Sequence, residues 1–371
     1  MIDEYLERAV ERRASDLYLK PGCRPMVRID GQLVSIDEAA LTPAFVEQAA
    51  RSLMGEERLA QFQRTPELNF AVYRDKLGRF RVNALLQRGQ YMLVLRWVRQ
   101  AVQSFEELHL PAKLLVEWAT APRGLVLITG ATGSGKSTTA AAILNYLNHH
   151  AAKHIVTVED PIEFVVADVQ SMITQREVGL DTNSFPEALR SIMRQAADVL
   201  YLSDIRDQPT MAQVLAAAET GHLVIGCLHT INATNTLERM LNFFPPHNHN
   251  EIRLQLSLLL RGVISLRLLP RLDGQGRIPA YETLVVTPTI RELIREWKLH
   301  EISSFIQEGA LYGMQTFTQS LVRLYEAGLV GLEEVRRVAD SRDELDVILR
   351  QVRSTGEAQR SRAGTGEPPR S

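Results

Sequence analysis

Gly130-Ala131-Thr132-Gly133-Ser134-Gly135-Lys136-Ser137 fits the pattern G-x-x-x-x-G-K-[ST]. The segment before it, Gly124-Leu125-Val126-Leu127-Ile128-Thr129, reads as a short buried strand. The segment after it, Thr138 to Leu147, reads as a helix. Strand, glycine loop and helix in that order make a phosphate cradle. The three glycines permit backbone angles closed to residues with a Cβ, so successive N–H groups turn inward as an anion nest. The helix start adds its positive end. Lys136 is placed to reach the β- and γ-phosphates of a nucleoside triphosphate, and the Ser137 hydroxyl to ligate Mg²⁺. A plain Gly-rich turn is the alternative, and the flanking strand and helix argue against it.

Three further segments supply polar groups at strand ends. His154 to Val158 is a strand running into Glu159 and Asp160, with Glu163 shortly after. Acids at the end of a buried strand beside a phosphate loop hold Mg²⁺ or a water, or else only solvate the strand end and cap the next turn of chain. Val199 to Leu202 leads through Ser203 to Asp204, four apolar residues ending in a carboxylate that positions Mg²⁺ or the attacking water. Asp198 reads as a cap. Leu223 to Leu228 is flanked by His222 and His229, which are either structural or set near the γ-phosphate.

Outward from the loop, residues 1–100 read as a small α+β domain. It opens with an amphipathic helix, Tyr5 to Arg13, and a strand, Ser15 to Leu19. A hairpin turns at Asp30-Gly31, and a helix runs from Thr42-Pro43 to about Met54. Three alternating strands follow: Phe70 to Tyr73, Gly78 to Leu86 and Tyr91 to Val98. Residues 101–122 form a connecting linker. Residues 123–288 are the α/β core, a mostly parallel sheet with helices on both faces. Within it, Ser184 to Glu187 matches a capping box for a helix ending near Ala196, and Gly221 fits a helix C′ position. Residues 289–353 form a helical lobe. The tail, 354–371, has no aromatic or large aliphatic residue and is expected to be disordered.

Bulk composition bounds the function. Lys+Arg is 42 against Asp+Glu 44 in 371 residues, a net charge of −2. That balance argues against a nucleic-acid motor, which needs a basic stripe. The two cysteines, Cys23 and Cys227, form no metal-binding spacing. The acidic N-terminus, with Asp3, Glu4 and Glu7, does not read as a signal peptide. The densest apolar run, Leu254 to Leu260, is too short to span a bilayer. A soluble cytoplasmic protein is expected.

The chain resembles the secretion-type ATPases, and within them the type IV pilus retraction ATPases PilT and PilU. The resemblance covers about residues 1–350. It rests on ASDLYL (14–19), GRFRVNALLQR (78–88), GATGSGKST (130–138), VEDPIEF (158–164), ITQREVGLDTNSF (173–185), LYLSDIRD (200–207), AAAETGHLVIGCLHT (216–230) and GMQTFTQSL (313–321). QREVGLDT (175–182) with ERMLNFFP (238–245) leans toward the PilU branch.

The resemblance implies a RecA-like P-loop domain preceded by a PAS-like domain, assembled as a homohexamer using ATP and Mg²⁺. It implies a PilT-type partner and an inner-membrane pilus platform protein, with the ring at the inner face of that membrane. No direct contact with nucleic acid is implied. By position, Gly130, Ala131, Thr132, Gly133, Ser134, Gly135, Lys136, Ser137 and Thr138 match the nucleotide loop. Glu159, Asp160 and Glu163 match the family's Asp box, with Glu163 helping to activate water, and His222 and His229 match its His box. Arg79, Arg81 and Arg96 resemble arginines that approach the nucleotide across a domain or subunit boundary; surface salt bridging is the other reading. Two departures stand out. Residues 258–265 read Leu-Leu-Leu-Arg-Gly-Val-Ile-Ser in place of the AIRAGE motif of PilT, which favours an accessory, PilU-like role. The family usually ends its Walker B strand with Gly-Glu, where this chain has Ser203-Asp204. Slow intrinsic hydrolysis is the resulting expectation, with a nucleotide-binding adaptor of little turnover as the alternative.

Overall fold

The computed structural model describes residues 2–29, 31–98, 102–343 and 345–350. They divide into two compact units. Unit one runs to Val102 and takes back the short segment Pro161–Ala167; unit two holds Gln103–Asp160 and the chain from Asp168 onward. That return differs from a simple cut near residue 100.

In unit one the order is α1 (Ile2–Glu11), β1 (Asp16–Leu19), β2 (Met26–Ile29), β3 (Gln32–Ser35), α2 (Pro43–Arg64), β4 (Glu67–Arg74), β5 (Gly78–Gln87) and β6 (Gln90–Trp97). The strands make one antiparallel sheet in the order β3-β2-β1-β6-β5-β4. Period-2 alternation sets its faces: Phe80, Val82 and Ala84 of β5 are buried while Arg79, Arg81 and Asn83 between them are half-buried. Leu6 and Ala9 of α1 and Val46, Ala49, Ala50 and Leu53 of α2 cover the apolar face. The Thr42 hydroxyl accepts the Phe45 N–H at 3.2 Å and starts α2. The expected end at Met54 is a kink: Gly55 sits at φ +67°, and Glu56-Glu57-Arg58-Leu59-Ala60, good helix formers, resume the helix to Arg64. Of the expected turn, Gly31 has φ +85°, while Asp30 lies outside the described residues, as does the 354–371 tail.

Unit two contains α3 (Ala112–Ala119), β7 (Gly124–Thr129), α4 (Lys136–His150), β8 (His154–Glu159), β9 (Met172–Glu177), α5 (Phe185–Ile192), β10 (Val199–Leu202), α6 (Gln208–Glu219), β11 (Leu223–Leu228), α7 (Ala233–Asn242), α8 (His249–Leu259), β12 (Leu260–Pro270), β13 (Arg277–Val285), α9 (Pro288–Glu296), α10 (Leu299–Glu308), α11 (Phe317–Glu326) and α12 (Leu332–Val338). Its sheet runs β13-β12-β7-β11-β10-β8-β9, with all pairs parallel except β12–β13. Every residue of β7, β10 and β11 is buried, as a parallel sheet covered on both faces requires.

α5 ends at Ile192 rather than Ala196, which has turned to φ +50°. The expected capping box is half made. The Ser184 hydroxyl accepts the Glu187 N–H, but the Glu187 carboxylate accepts from Asn183 instead. The C-terminal helices do not form one lobe. α9 and α10 join the main core through Ile290, Ile294 and Ile302, whereas α11 and α12 pack with Leu269, Ile278 and Ala280 of the β12–β13 hairpin. Among the described residues no helix is long and apolar enough to cross a membrane.

One half-buried acid ties β13 to α7. Glu282 Oε1 accepts the N–H of Ala233, the first residue of α7, at 2.8 Å. Burial pushes its carboxyl from the usual 4.5 up to about 7. The folded chain therefore holds this proton more tightly than the unfolded chain, and stability falls as pH rises from about 4.5 through about 7. Glu282→Gln keeps the acceptor and removes the partly desolvated charge. It is expected to stabilise the protein by about 1–3 kcal/mol at pH 8 and to change little at pH 4, which thermal melts at the two pH values will read.

Candidate active site

The parallel registers bring four strand ends to one edge of the sheet. Thr129 pairs with Leu228, Leu202 with Gly226, and Leu202 again with Val158. The loop after β7, the acids after β8, Ser203-Asp204 after β10 and His229 after β11 thus emerge together, where ligands bind in open α/β sheets.

The loop itself is shaped by glycine. Gly130, Gly133 and Gly135 have φ +142°, +78° and +101°, and α4 begins at Lys136. A Cβ on Gly130 would stand 2.4 Å from Ser134 Oγ and 2.6 Å from the Leu266 carbonyl oxygen. Gly130→Ala is therefore expected to cost at least about 2–3 kcal/mol and to abolish nucleotide binding, measured by urea unfolding and by calorimetry. Among the described residues, the buried Ser134 Oγ has no hydrogen-bond partner, an unused donor at the rim of the nest.

Lys136 is buried, and its ammonium donates to the carbonyls of Gly130 at 2.7 Å and Ala131 at 3.0 Å. It also stands 3.3 Å from His229 Nδ1, while His229 Nε2 stands 3.0 Å from Asp204 Oδ2. One neutral tautomer serves both contacts: Nδ1 accepts from the ammonium and Nε2–H donates to the carboxylate. Asp204 is buried, and the same Oδ2 accepts from Arg206 Nε at 2.5 Å. That bond holds the Arg206 guanidinium above its ordinary value. Arg206 Nη1 extends the chain to Asp160 Oδ2 at 3.4 Å. Among the described residues, the buried Asp204 Oδ1 has no hydrogen-bond partner, a carboxylate oxygen left for a water or a ligand.

The neighbouring acids are held in place. Glu159 Oε1 accepts from Thr157 Oγ1 at 2.7 Å and Gln175 Nε2 at 3.1 Å. The Asp160 N–H donates to Ser203 Oγ at 2.9 Å, so the serine before Asp204 fixes the Asp box rather than extending the reach of the carboxylate. Burial pushes the Cys227 thiol on β11 up to about 12, leaving it a packing group.

Sequence reasoning missed Arg206; an arginine two residues past a strand-end acid was the available signal. It placed His222 too generously. His222 precedes β11, at the opposite end from His229, and its Nδ1 donates to the Ala217 carbonyl at 3.0 Å. Six strand residues, about 20 Å, separate the two imidazoles. Within unit two His222 therefore caps the end of α6 and does not approach the loop.

Arg79, Arg81, Arg96 and Glu163 lie in unit one. Arg81 of β5 pairs in register with Arg96 of β6, Arg96 with Asp16 of β1, and Asp16 with Arg28 of β2. Like charges side by side are unfavourable unless compensated. Asp16, buried, supplies this by accepting from Arg96 Nε at 2.7 Å, and Glu163 adds a further attraction to Arg96. The result is a row of three arginines and one aspartate across four strands.

The family model for "Type II/IV secretion system protein" matches residues 1–365. Type IV pilus ATPase PilU of Pseudomonas aeruginosa is 38% identical over 94% of this chain and 91% of its own. Type IV pilus retraction ATPase PilT of the same organism is 41% identical over 91% and 98%. A crystal structure of the pilus retraction motor PilT with bound ADP superposes with a TM-score of 0.86 at 41% identity, over 92% of this chain and 98% of that one. The two identities do not separate the PilU branch from the PilT branch. The fold agrees with the expected α/β architecture, a P-loop sheet domain preceded by a smaller sheet domain. The chain belongs to the Type II/IV secretion system protein family and is an ATPase of its PilT/PilU branch.

Proposed function

We propose that this chain is a subunit of a hexameric ATPase ring that powers or assists type IV pilus retraction and twitching motility, as a PilU-like accessory to a PilT-type motor. The observation that carries this is the chain Lys136–His229–Asp204 at the strand ends, in a protein that matches both pilus ATPases over nearly their whole length. The ring would work at the inner face of the inner membrane, through a platform protein of the pilus.

The residues suit Mg·ATP as substrate. The amides from Ala131 to Thr138 form the nest, Lys136 would exchange loop carbonyls for β- and γ-phosphate oxygens, and Ser137 with a strand-end carboxylate would hold Mg²⁺. Mg²⁺ typically takes only one or two protein oxygens beside phosphates, and when bound it neutralises the developing charge. Asp204 Oδ1 orients the water that attacks the γ-phosphorus, with ADP as leaving group. His229 links that carboxylate to the phosphate-sensing lysine. Glu163 assists the water, and Arg79, Arg81 and Arg96 offset γ-phosphate charge at a domain or subunit boundary.

A second reading, a nucleotide-binding adaptor with little hydrolysis, is favoured by the hold of Arg206 and His229 on Asp204 Oδ2. Steady-state phosphate release decides between them, measured on the chain alone and mixed with a PilT-type ATPase, with Lys136→Ala as blank. Release above the blank, rising in the mixture, supports the motor subunit; release equal to the blank in both supports the adaptor. Native mass spectrometry in Mg·ATP is expected to find six copies, and a monomer alone would contradict the ring.

A further inference from the structure

The other end of the unit-two sheet holds a cavity of about 450 Å³, where β7 and β12 begin and α6 and α8 end. Arg123 just before β7, Arg261 of β12 and Arg291 of α9 line it, together with Glu219 and Gln255. Three guanidiniums face one carboxylate, and that carboxylate already accepts from Gln255 Nε2 at 3.5 Å. Among the described residues, no ion pair joins any of the three arginines to an acid.

The site is shaped by the backbone. Gly124 has φ +123°, and a Cβ there would stand 2.8 Å from Arg261 Nε and 2.8 Å from the Leu259 carbonyl oxygen. Its absence lets the Arg261 Nε donate to the Arg123 carbonyl at 3.0 Å, which fixes the stem; among the described residues neither terminal nitrogen has a hydrogen-bond partner. Uncompensated cations gathered in a concavity raise the local concentration of anions. The guanidinium fork matches phosphate oxygens, and a phosphate monoester carries about −1.5 to −2 at pH 7, against a net pocket charge of two positive. The volume lies in the ordinary range for a small-ligand site.

We infer that this cavity binds the phosphoryl group of a phosphorylated ligand, at a site about 20 Å from the phosphate loop along β7. The ligand class is a phosphate ester, free in solution or carried as a lipid headgroup. The inference does not depend on the retraction role.

The test uses the full chain carrying Lys136→Ala, which weakens the phosphate loop, with pyrophosphate titrated by calorimetry. Adding Arg261→Gln and Arg291→Gln is expected to weaken pyrophosphate binding at least tenfold. Residual binding at the loop would not respond to these changes, so the difference isolates the cavity. Should the double variant lose its cooperative melt, Arg123→Gln, at the exposed position just before β7, replaces it, with the same direction expected. Cosedimentation with vesicles containing phosphatidic acid, whose headgroup is a phosphate monoester, tells the sources apart. Pelleting that both pyrophosphate and the arginine changes abolish identifies a lipid headgroup; calorimetric binding without pelleting identifies a soluble phosphate ester. No pyrophosphate binding, or binding undiminished by the arginine changes, overturns the inference.

Discussion

Lys136→Ala lowers phosphate release from Mg·ATP by about 10²–10³-fold or more, the loss expected when a charge aimed at a transferring phosphoryl group is removed. The cause is visible at the side chain. The ammonium is buried, it donates to the Gly130 and Ala131 carbonyls, and its third contact is His229 Nδ1. Alanine therefore removes the phosphate ligand and also strands an imidazole whose other nitrogen holds Asp204. Two loop carbonyls lose their donor, so a drop of about 1–3 kcal/mol in stability accompanies the loss of turnover. Steady-state phosphate release and urea unfolding on the same preparation separate the two effects. Turnover within tenfold of the native chain would show that the lysine is a structural strut of the loop.

Asp204 governs the second large effect. Asp204→Asn is expected to cut turnover by about 100-fold, because the orienting oxygen loses its charge within a buried network. Asp204→Glu is expected to raise turnover above the native level. An aspartate carboxylate sits about 1.5 Å further back than a glutamate's, and a displacement of that size at a reacting centre slows chemistry substantially. In this chain the shorter carboxylate is also drawn sideways, with Oδ2 shared between Arg206 and His229 and only Oδ1 left over. Initial rates at saturating Mg·ATP test both substitutions. A glutamate variant no faster than the native protein would remove the reason for expecting slow hydrolysis.

Legibility in the sequence tracks how local each feature is. β7, the loop and α4 are contiguous, so their chemistry is written in eight adjacent residues. β8, β10 and β11 are buried on both faces and read as apolar runs. β9 pairs only with β8 at the sheet edge, and its Met-Ile-Thr-Gln-Arg-Glu carries neither an apolar run nor strict alternation. The apolar run Leu254 to Leu260 hid a change of state, because α8 ends at Leu259 and β12 starts at Leu260. The site shows the same divide. Asp204 was legible as a strand-end acid, but its pairing with His229 joins β10 to β11, and the contact of His229 with Lys136 spans 93 residues. Such contacts exist only once strand order and register are set. His222 and His229 looked equivalent because a flanked strand does not declare which end meets the loop; parallel pairing with β7 decides for His229. Glu163 follows Glu159 and Asp160 closely in the Asp box, yet it lies in unit one, because Pro161–Ala167 returns to that unit.

Every role given to Lys136 and Asp204 requires that the backbone turn from Gly130 to Ser137 hold a triphosphate. Titration calorimetry of Mg·ATP into the folded full chain, with Gly130→Ala as reference, is the deciding measurement. A saturable heat is predicted for the native protein and none for the variant. Cooperative folding of the native chain with no heat at millimolar Mg·ATP would contradict it.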